Sequence, residues 1–207
     1  MSGVLPEFQN TLARKGPGIL YSTALTGTAA LALTTIDLFG YGLGQIGFGF
    51  TAASTLAQTN YRSQGRQMPA QMSFMVHGIA LAYSYCATSG TSSRNPVSST
   101  DLHNLTDNGV LLQWVMNDGT PIEVAGTAMI GSGGGVGAYG VAGTAGAVNS
   151  ELGIGRGLWR LAQPFPLYPL ASWLLQLSFG YSAGAQTANT AIRCTLVGEY
   201  GFTVPQG

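Results

Sequence analysis

Charged residues are scarce in this sequence. Only 8% of the 207 residues are Asp, Glu, Lys or Arg, whereas an ordinary soluble domain has about 25%. The eight basic and eight acidic residues balance, so the formal net charge at pH 7 is zero. No basic patch can therefore neutralise many phosphates, and sequence-specific nucleic-acid binding is not expected. A lone globule so poor in charge disperses badly, so we expect other subunits or lipid to cover much of its surface.

Cysteine and histidine are also rare. Cys86 and Cys194 are the two cysteines, too few for a disulfide framework; we expect free thiols near the core, with a single pairing as the alternative. His77 lies within an apolar run, which favours a hydrogen-bonded core or interface residue. His103 lies in a polar loop beside acidic residues, but no zinc-type spacing accompanies it. The sequence therefore predicts no metal site.

Motifs for catalysis and nucleotide binding are missing as well. No Gly-x-Ser-x-Gly nucleophile elbow occurs, and Lys15 is the only lysine. Residues 42–47 and 135–140 match Gly-x-Gly-x-x-Gly, but a chain with 31 glycines produces such matches by chance. Neither match is followed by an amphipathic helix or a suitably spaced acidic residue. We therefore expect a non-catalytic protein with no cofactor and no small-molecule substrate.

The N-terminal residues lack the basic and apolar regions of a secretory signal, which favours assembly in the cytosol. Five uncharged stretches are long enough to suggest membrane spans: 16–36, 38–61, 67–93, 124–150 and 161–192. They are rich in Gly, Ser, Thr or Pro, and none is a run of about 20 strongly apolar residues. An integral or membrane-associated protein is therefore kept as an alternative only.

Residues 1–20 are predicted to form an N-terminal arm. A short helix over 5–15 would place Arg14 and Lys15 in its last turn, where cations suit the helix dipole, before Gly16-Pro17-Gly18 ends it. The arm would dock on a neighbouring subunit or cover its own domain. Three apolar residues on one helix face are candidate subunit contacts: Leu5, Phe8 and Leu12.

Beyond the arm, residues 21–207 predict a single antiparallel β-sandwich domain, because the dominant period is two. An Asn117-Asp118-Gly119 turn between apolar runs predicts a hairpin from Val110 to Val124. Four further strands are indicated by alternation or by a continuous apolar run: 46–50, 74–83, 172–179 and 192–204. Many short strands in a chain of this length favour a sandwich or barrel.

Two segments break the strand pattern. Residues 131–146 hold eight glycines and predict a loop or flattened insertion, which could contact an adjacent subunit or act as a linker. Residues 159–169 mix aromatic residues with three prolines, which keep the segment out of central strands. The second segment would cover one end of the sandwich or form a subunit contact, with these candidate interface residues: Trp159, Arg160, Phe165 and Tyr168.

The layout resembles jelly-roll capsid proteins of icosahedral viruses, particularly tailless bacteriophages with an internal membrane. The features are an N-terminal arm, an Arg66-Gln67-Met68-Pro69 turn leading into 74–81, and a Pro-Phe-Pro-Leu-Tyr-Pro turn at 164–169 before 173–179. The likeness covers most of residues 36–204. The length suits a single jelly roll, whereas the double jelly roll of the best-known members needs nearly twice the chain.

The resemblance implies a structural virion protein, a self-assembling capsid subunit assembled in the host cytoplasm. Its partners would be copies of itself, other virion proteins and, where one exists, an internal membrane. A non-catalytic β-sandwich that binds glycans or another ligand is a further alternative. That function would require an exposed aromatic platform, such as Trp159 with Tyr168.

Overall fold

A computed structural model of the protein describes residues 14–62, 66–86, 92–95, 97–106, 109–116, 122–125, 135–136, 139–140, 147–148, 158–181 and 184–202. Within these ranges the chain forms twelve strands and one short helix. Two antiparallel sheets enclose a shared core, which confirms the predicted all-β sandwich. Most of the glycine-rich segment 131–146 lies outside the described residues.

The first sheet contains the long strands of the fold. Its main path, in spatial order, is β1 (Arg14–Leu25), β12 (Thr190–Phe202), β3 (Met72–Cys86) and β10 (Trp159–Leu167). Two short strands also pair with β3: β4 (Ser92–Asn95), which is antiparallel to it, and β7 (Gly135–Val136), which is parallel. Strand β12 therefore lies between β1 and β3 as a central strand.

The second sheet is smaller. Its spatial order is β2 (Thr35–Asp37), β11 (Trp173–Ser178), β5 (Leu111–Met116) and β6 (Ile122–Ala125). Helix α1 (Ser99–Thr106) connects β4 to β5, and a separate pair is formed by β8 (Tyr139–Gly140) and β9 (Ala147–Val148). The β5–β6 pair confirms the predicted hairpin, although its turn residues are outside the described ranges.

The strands are paired in a nested order. Strand β1 pairs with β12, β2 with β11, β3 with β10, and β5 with β6. Successive pairs alternate between the two sheets. The chain therefore follows the path of one long antiparallel hairpin that has been folded over into two layers.

Aromatic residues fill one part of the core between the sheets. The Trp173 ring packs against Phe39, Tyr61 and Trp114, with ring centroids 5.1, 5.8 and 6.0 Å away. Trp173, Leu175 and Leu177 are buried and alternate with partly exposed residues along β11, as the sequence predicts. Burying a large apolar side chain contributes about 1.5–3 kcal/mol, so this cluster is a main source of stability.

Strand β12 also follows the predicted alternation over most of its length, with Ile192, Cys194 and Leu196 fully buried. Phe202 departs from it: 44% of this residue is exposed, and its ring stacks on Tyr200 instead of entering the core. Both cysteines are buried and free, which confirms the expectation of unpaired thiols.

The predicted helix does not extend to Arg14 and Lys15, which begin strand β1. Arg14 is opposite Phe202 in the register, and the pairing with β12 continues without interruption to Leu25. Long-range pairing with a central strand therefore overrides the local helix signal here. Three predicted contact residues lie outside the described residues: Leu5, Phe8 and Leu12.

The predicted strand over 46–50 is wrong. Ile46 forms an isolated bridge with Ala53, and the segment around it turns because Gly44 and Gly49 have φ of +84° and +76°. Only glycine adopts such angles readily, so the alternation of aromatic residues and glycine marks a turning loop and not a pleated strand. Ile46 is accordingly 63% exposed.

Helix α1 occupies the region that the sequence predicts as a polar loop. The Asp101 N–H donates a hydrogen bond to Ser98 Oγ at 3.2 Å, which caps the N-terminus of the helix. Leu102 and Leu105 are buried one turn apart. The Ser-x-x-Asp pattern at 98–101 is a capping signal, so this helix was detectable in the sequence.

Candidate assembly surface

The predicted interface residues of the aromatic–proline segment lie on or beside strand β10, at one edge of the first sheet. Trp159 and Phe165 are half-buried and pack against the core, and the Phe165 ring centroid is 4.7 Å from that of Trp114. Arg160 is exposed and Tyr168 is half-buried. The structure therefore brings all four to one edge, where Trp159 and Phe165 stabilise the fold by packing against the core.

Strand β10 pairs irregularly with β3. The register shifts between Arg160 and Phe165, and the residues at 162–164 are exposed. Pro164 and Pro166 cannot donate backbone hydrogen bonds, which explains both the irregularity and the edge position. This edge is accordingly poorly suited to strand addition, but some of its side chains, such as that of Arg160, are exposed to solvent.

The opposite edge of the first sheet is covered by the protein's own loop. The Tyr21 N–H donates to Asn60 Oδ1 at 2.8 Å, and Asn60 Nδ2 donates to the Ile19 carbonyl at 2.7 Å. Further along the strand, the Leu25 N–H donates to the Phe48 carbonyl at 3.0 Å. The 46–60 loop therefore satisfies the backbone of β1 and blocks pairing with another chain.

Large apolar residues are exposed at several places on the described surface. Those with the largest exposed fractions are Tyr181 at 85%, Ile46 at 63%, Leu33 at 62%, Leu170 at 61%, Leu56 at 56% and Ile122 at 55%. Single exposed apolar residues are normal in soluble proteins. Leu33 and Leu170 are unusual for their backbone conformation. Their φ angles are 56° and 58°, in the left-handed region that leucine rarely adopts.

Asp101 is buried, and its carboxylate is fully engaged in hydrogen bonds. Its oxygens accept from Tyr85 Oη at 2.7 Å, from the Thr187 N–H at 2.8 Å and from Thr187 Oγ1 at 3.1 Å. These bonds fasten α1 to β3 and to the segment before β12. A buried carboxylate with three donors has a structural role, because it has little capacity left for a ligand.

His77 is on the surface and not in the core. Strand β3 has an extra residue here, because Val197 is opposite Gly78 while Gly198 is opposite Val76. The bulge turns the His77 side chain outward, where Nε2 lies 3.9 Å from Glu199 Oε1. Of the two interpretations that the sequence favours for His77, the core residue is therefore wrong, and the interface residue stays a prediction.

Burial suppresses the reactivity of the thiols. It raises the pKa of Cys194 far above its ordinary value, and it raises the pKa of Cys86 as well. A thiol acts as a nucleophile or metal ligand in its thiolate form. Among the residues that the structure describes, no three His, Cys, Asp or Glu side chains group together in a way that could hold a metal ion.

No helix in the described part of the chain has the length and apolar content needed to cross a bilayer. Among the residues that the structure describes, six charged residues are exposed: Arg62, Arg66, Arg160, Arg193, Glu123 and Glu199. Arg66 is paired with Asp37, and Arg193 donates to Thr23 Oγ1 and lies over the Tyr21 ring. Some of these charged side chains are therefore already engaged in contacts within the chain.

Sequence reasoning did not single out Leu33, Leu170 or Asn60. The residue types gave no signal for the two leucines, whose unusual backbone angles arise from tertiary contacts of their loops.

The chain matches no protein-family model, no curated protein and no solved structure.

Proposed function

We propose that the protein is a self-assembling shell subunit of a virus or phage, built on a single jelly roll. The observation that carries the proposal is the nested strand pairing, β1 with β12, β2 with β11, β3 with β10 and β5 with β6. A jelly roll is an eight-stranded, two-sheet arrangement of antiparallel strands that is common in viral capsids. A hairpin folded over into two sheets has the connectivity that this architecture requires.

The surface chemistry supports the same function. Subunits in a shell bury much of their surface against neighbours, and a charged residue buried without a partner is strongly destabilising. A surface with few charges and several exposed large apolar residues suits such burial. Arg160 and Tyr168 on or beside the β10 edge are the contact residues we propose on this side of the subunit, with Trp159 and Phe165 behind them.

The experiment is to express the chain in the cytosol, measure its mass by light scattering and examine it by negative-stain microscopy. Closed rings or shells are the expected products. A soluble monomer at every concentration would contradict the proposal and favour a glycan- or ligand-binding module. Protein recovered only with membranes would instead favour the membrane alternative.

A deletion variant tests whether the N-terminal arm is needed for assembly. Strand β1 begins at Arg14, so removing residues 1–13 leaves every described strand complete. We expect this variant to remain folded, with the far-ultraviolet circular dichroism of a β protein, but to form no particles. Normal particles without residues 1–13 would show that Leu5, Phe8 and Leu12 are not needed for assembly.

A further inference from the structure

A row of four polar residues crosses the outer face of the second sheet. They are successive cross-strand partners from β2 to β6: Asp37, Gln176, Gln113 and Glu123. Directly opposite residues of antiparallel strands lie on the same face of the sheet. This face is the outer one, because the neighbouring Leu112, Trp114 and Leu175 are buried in the core between the sheets.

Hydrogen bonds between side chains fix the orientation of the two glutamines. Gln176 Nε2 donates to Gln113 Oε1 at 2.7 Å, and Gln113 Nε2 donates to Glu123 Oε1 at 2.7 Å. The hydroxyl group of Ser178 donates to the same Gln113 oxygen at 2.6 Å. Because these side chains are already ordered, packing another surface against the row costs little additional side-chain entropy.

The two ends of the row present opposite charges. At the β6 end Glu123 is exposed, and neither ion pair found among the described residues includes it. At the β2 end Arg66 pairs with Asp37, but the Arg66 side chain is 50% exposed, whereas that of Asp37 is only 25% exposed. A guanidinium group has five N–H donors, so Arg66 can bind a second carboxylate. Three strand spacings, about 14 Å, separate Asp37 from Glu123.

The residues beside the row restrict what can bind it. Leu174 is opposite Val115 in the adjacent row, and both are partly exposed, so the face offers apolar contact as well as charge. No aromatic residue of the described strands shares this face, so it lacks the stacking platform of a glycan site. The exposed carboxylate of Glu123 repels phosphate groups, which disfavours a nucleic acid or an anionic lipid.

From these observations we propose that two copies of the chain pack the outer faces of their second sheets together around a two-fold axis. Rotation by 180° about an axis through the middle of the row exchanges its ends, so Glu123 of each copy meets Arg66 of the other. A second copy is the occupant because the row is electrostatically complementary to its own reverse, and a two-fold dimer forms both ion pairs at once. The inference rests on the proposed function only in that both require copies of the chain to associate.

Charge reversal in the full chain tests the contact. Glu123→Arg makes both ends of the row positive, and Arg66→Glu makes both ends negative. Glu199→Arg is the matched control, because this glutamate is 56% exposed on the first sheet. Sedimentation velocity over a range of concentrations measures association, and thermal melting followed by circular dichroism shows that each variant is folded.

Each of the first two variants is expected to lower the association constant about 10- to 100-fold, because both contacts of its dimer become repulsive. Association of the unaltered chain should weaken as the salt concentration rises from about 0.05 to about 0.5 M, since salt screens the exposed ion pairs. Glu199→Arg should associate like the unaltered chain.

An equimolar mixture of Glu123→Arg and Arg66→Glu gives the decisive result. Both contacts are attractive in the mixed dimer, so the mixture should associate about as tightly as the unaltered chain. A mixture that associates no better than its components, or Glu123→Arg protein that associates normally, would overturn the two-fold contact while the proposed function stands. Two-fold dimers without larger particles would support the contact and contradict the proposed function. An unaltered chain that is monomeric at every concentration would overturn both.

Discussion

The hydroxyl group of Tyr85 donates a hydrogen bond to Oδ2 of Asp101 at 2.7 Å, and the same hydroxyl accepts one from the Ser98 N–H at 3.0 Å. Tyr85 lies near the end of β3, and Ser98 and Asp101 form the N-terminal turn of α1. One oxygen atom therefore connects the largest sheet to the cap of the helix and to a buried carboxylate.

Replacing Tyr85 with phenylalanine should lower the free energy of unfolding by about 1–3 kcal/mol, because Asp101 loses a donor and the Ser98 N–H loses its acceptor. Urea unfolding followed by tryptophan fluorescence measures the change. Tyr181→Phe removes the same hydroxyl from a residue that is 85% exposed and should leave stability within about 0.5 kcal/mol. Equal effects of the two substitutions would argue against the buried network.

Replacing Asn60 with alanine should uncover the outer edge of β1. The Tyr21 N–H and the Ile19 carbonyl would each lose a partner, with an expected destabilisation of about 1–2 kcal/mol. The uncovered edge can then pair with other chains, so light scattering should detect faster irregular aggregation on warming. Thr51→Ala, at an exposed position in the same loop, is the control and should aggregate no faster than the unaltered protein.

Replacing Gly198 with alanine should be among the most damaging single changes. A Cβ atom at this position would lie 1.8 Å from the Met75 carbonyl oxygen, whereas one at Gly16 would have no atom within 4 Å. The bulge at His77 would have to rearrange, at an expected loss of about 3 kcal/mol or more. Gly16→Ala is the matched control in the paired strand. If both variants unfold at the same urea concentration, the close approach at Gly198 is not a constraint.

Alkaline pH should destabilise the protein through Cys194. The folded state keeps this buried thiol protonated, while the thiol of the unfolded chain ionises above its ordinary pKa of 9.0. The unfolded state then binds fewer protons, so the free energy of unfolding falls as pH rises above about 9, by up to about 1.4 kcal/mol per pH unit. Tyr83, whose pKa burial also raises, adds to the fall above its ordinary value of 10.0.

Urea unfolding at pH 7, 9 and 10 measures this dependence. Cys194→Ala should be less stable at pH 7 because it leaves a small cavity, but its stability should decline less steeply between pH 9 and 10. Identical slopes in the two proteins would mean that the thiol does not contribute.

The elements that sequence reasoning predicted correctly have local causes. The β5–β6 hairpin follows from turn residues between two neighbouring runs, and β11 follows from strict alternation because one of its faces is buried by the other sheet. Both signals are contained within about fifteen residues. The capping signal of α1 at Ser98 is equally local, although the polar residues around it favour a loop.

The features that escaped prediction depend on distant partners. Arg14 joins a strand because Phe202 is opposite it, and His77 faces solvent because it is the extra residue of the bulge where β3 pairs with β12. The backbone angles of Leu33 and Leu170 are set by loops that meet the segments at 180 and 68. No periodicity within a window of sequence contains that information.

The position of β12 between β1 and β3 also constrains how the chain can fold. Arg14 pairs with Phe202, so the closing contact spans almost the whole described chain, and such non-local topologies fold slowly. During synthesis, β1 and β3 emerge from the ribosome long before the strand that joins them. Until β12 is made, each has an unpaired edge, so premature contact between nascent chains is the principal misfolding hazard of this architecture.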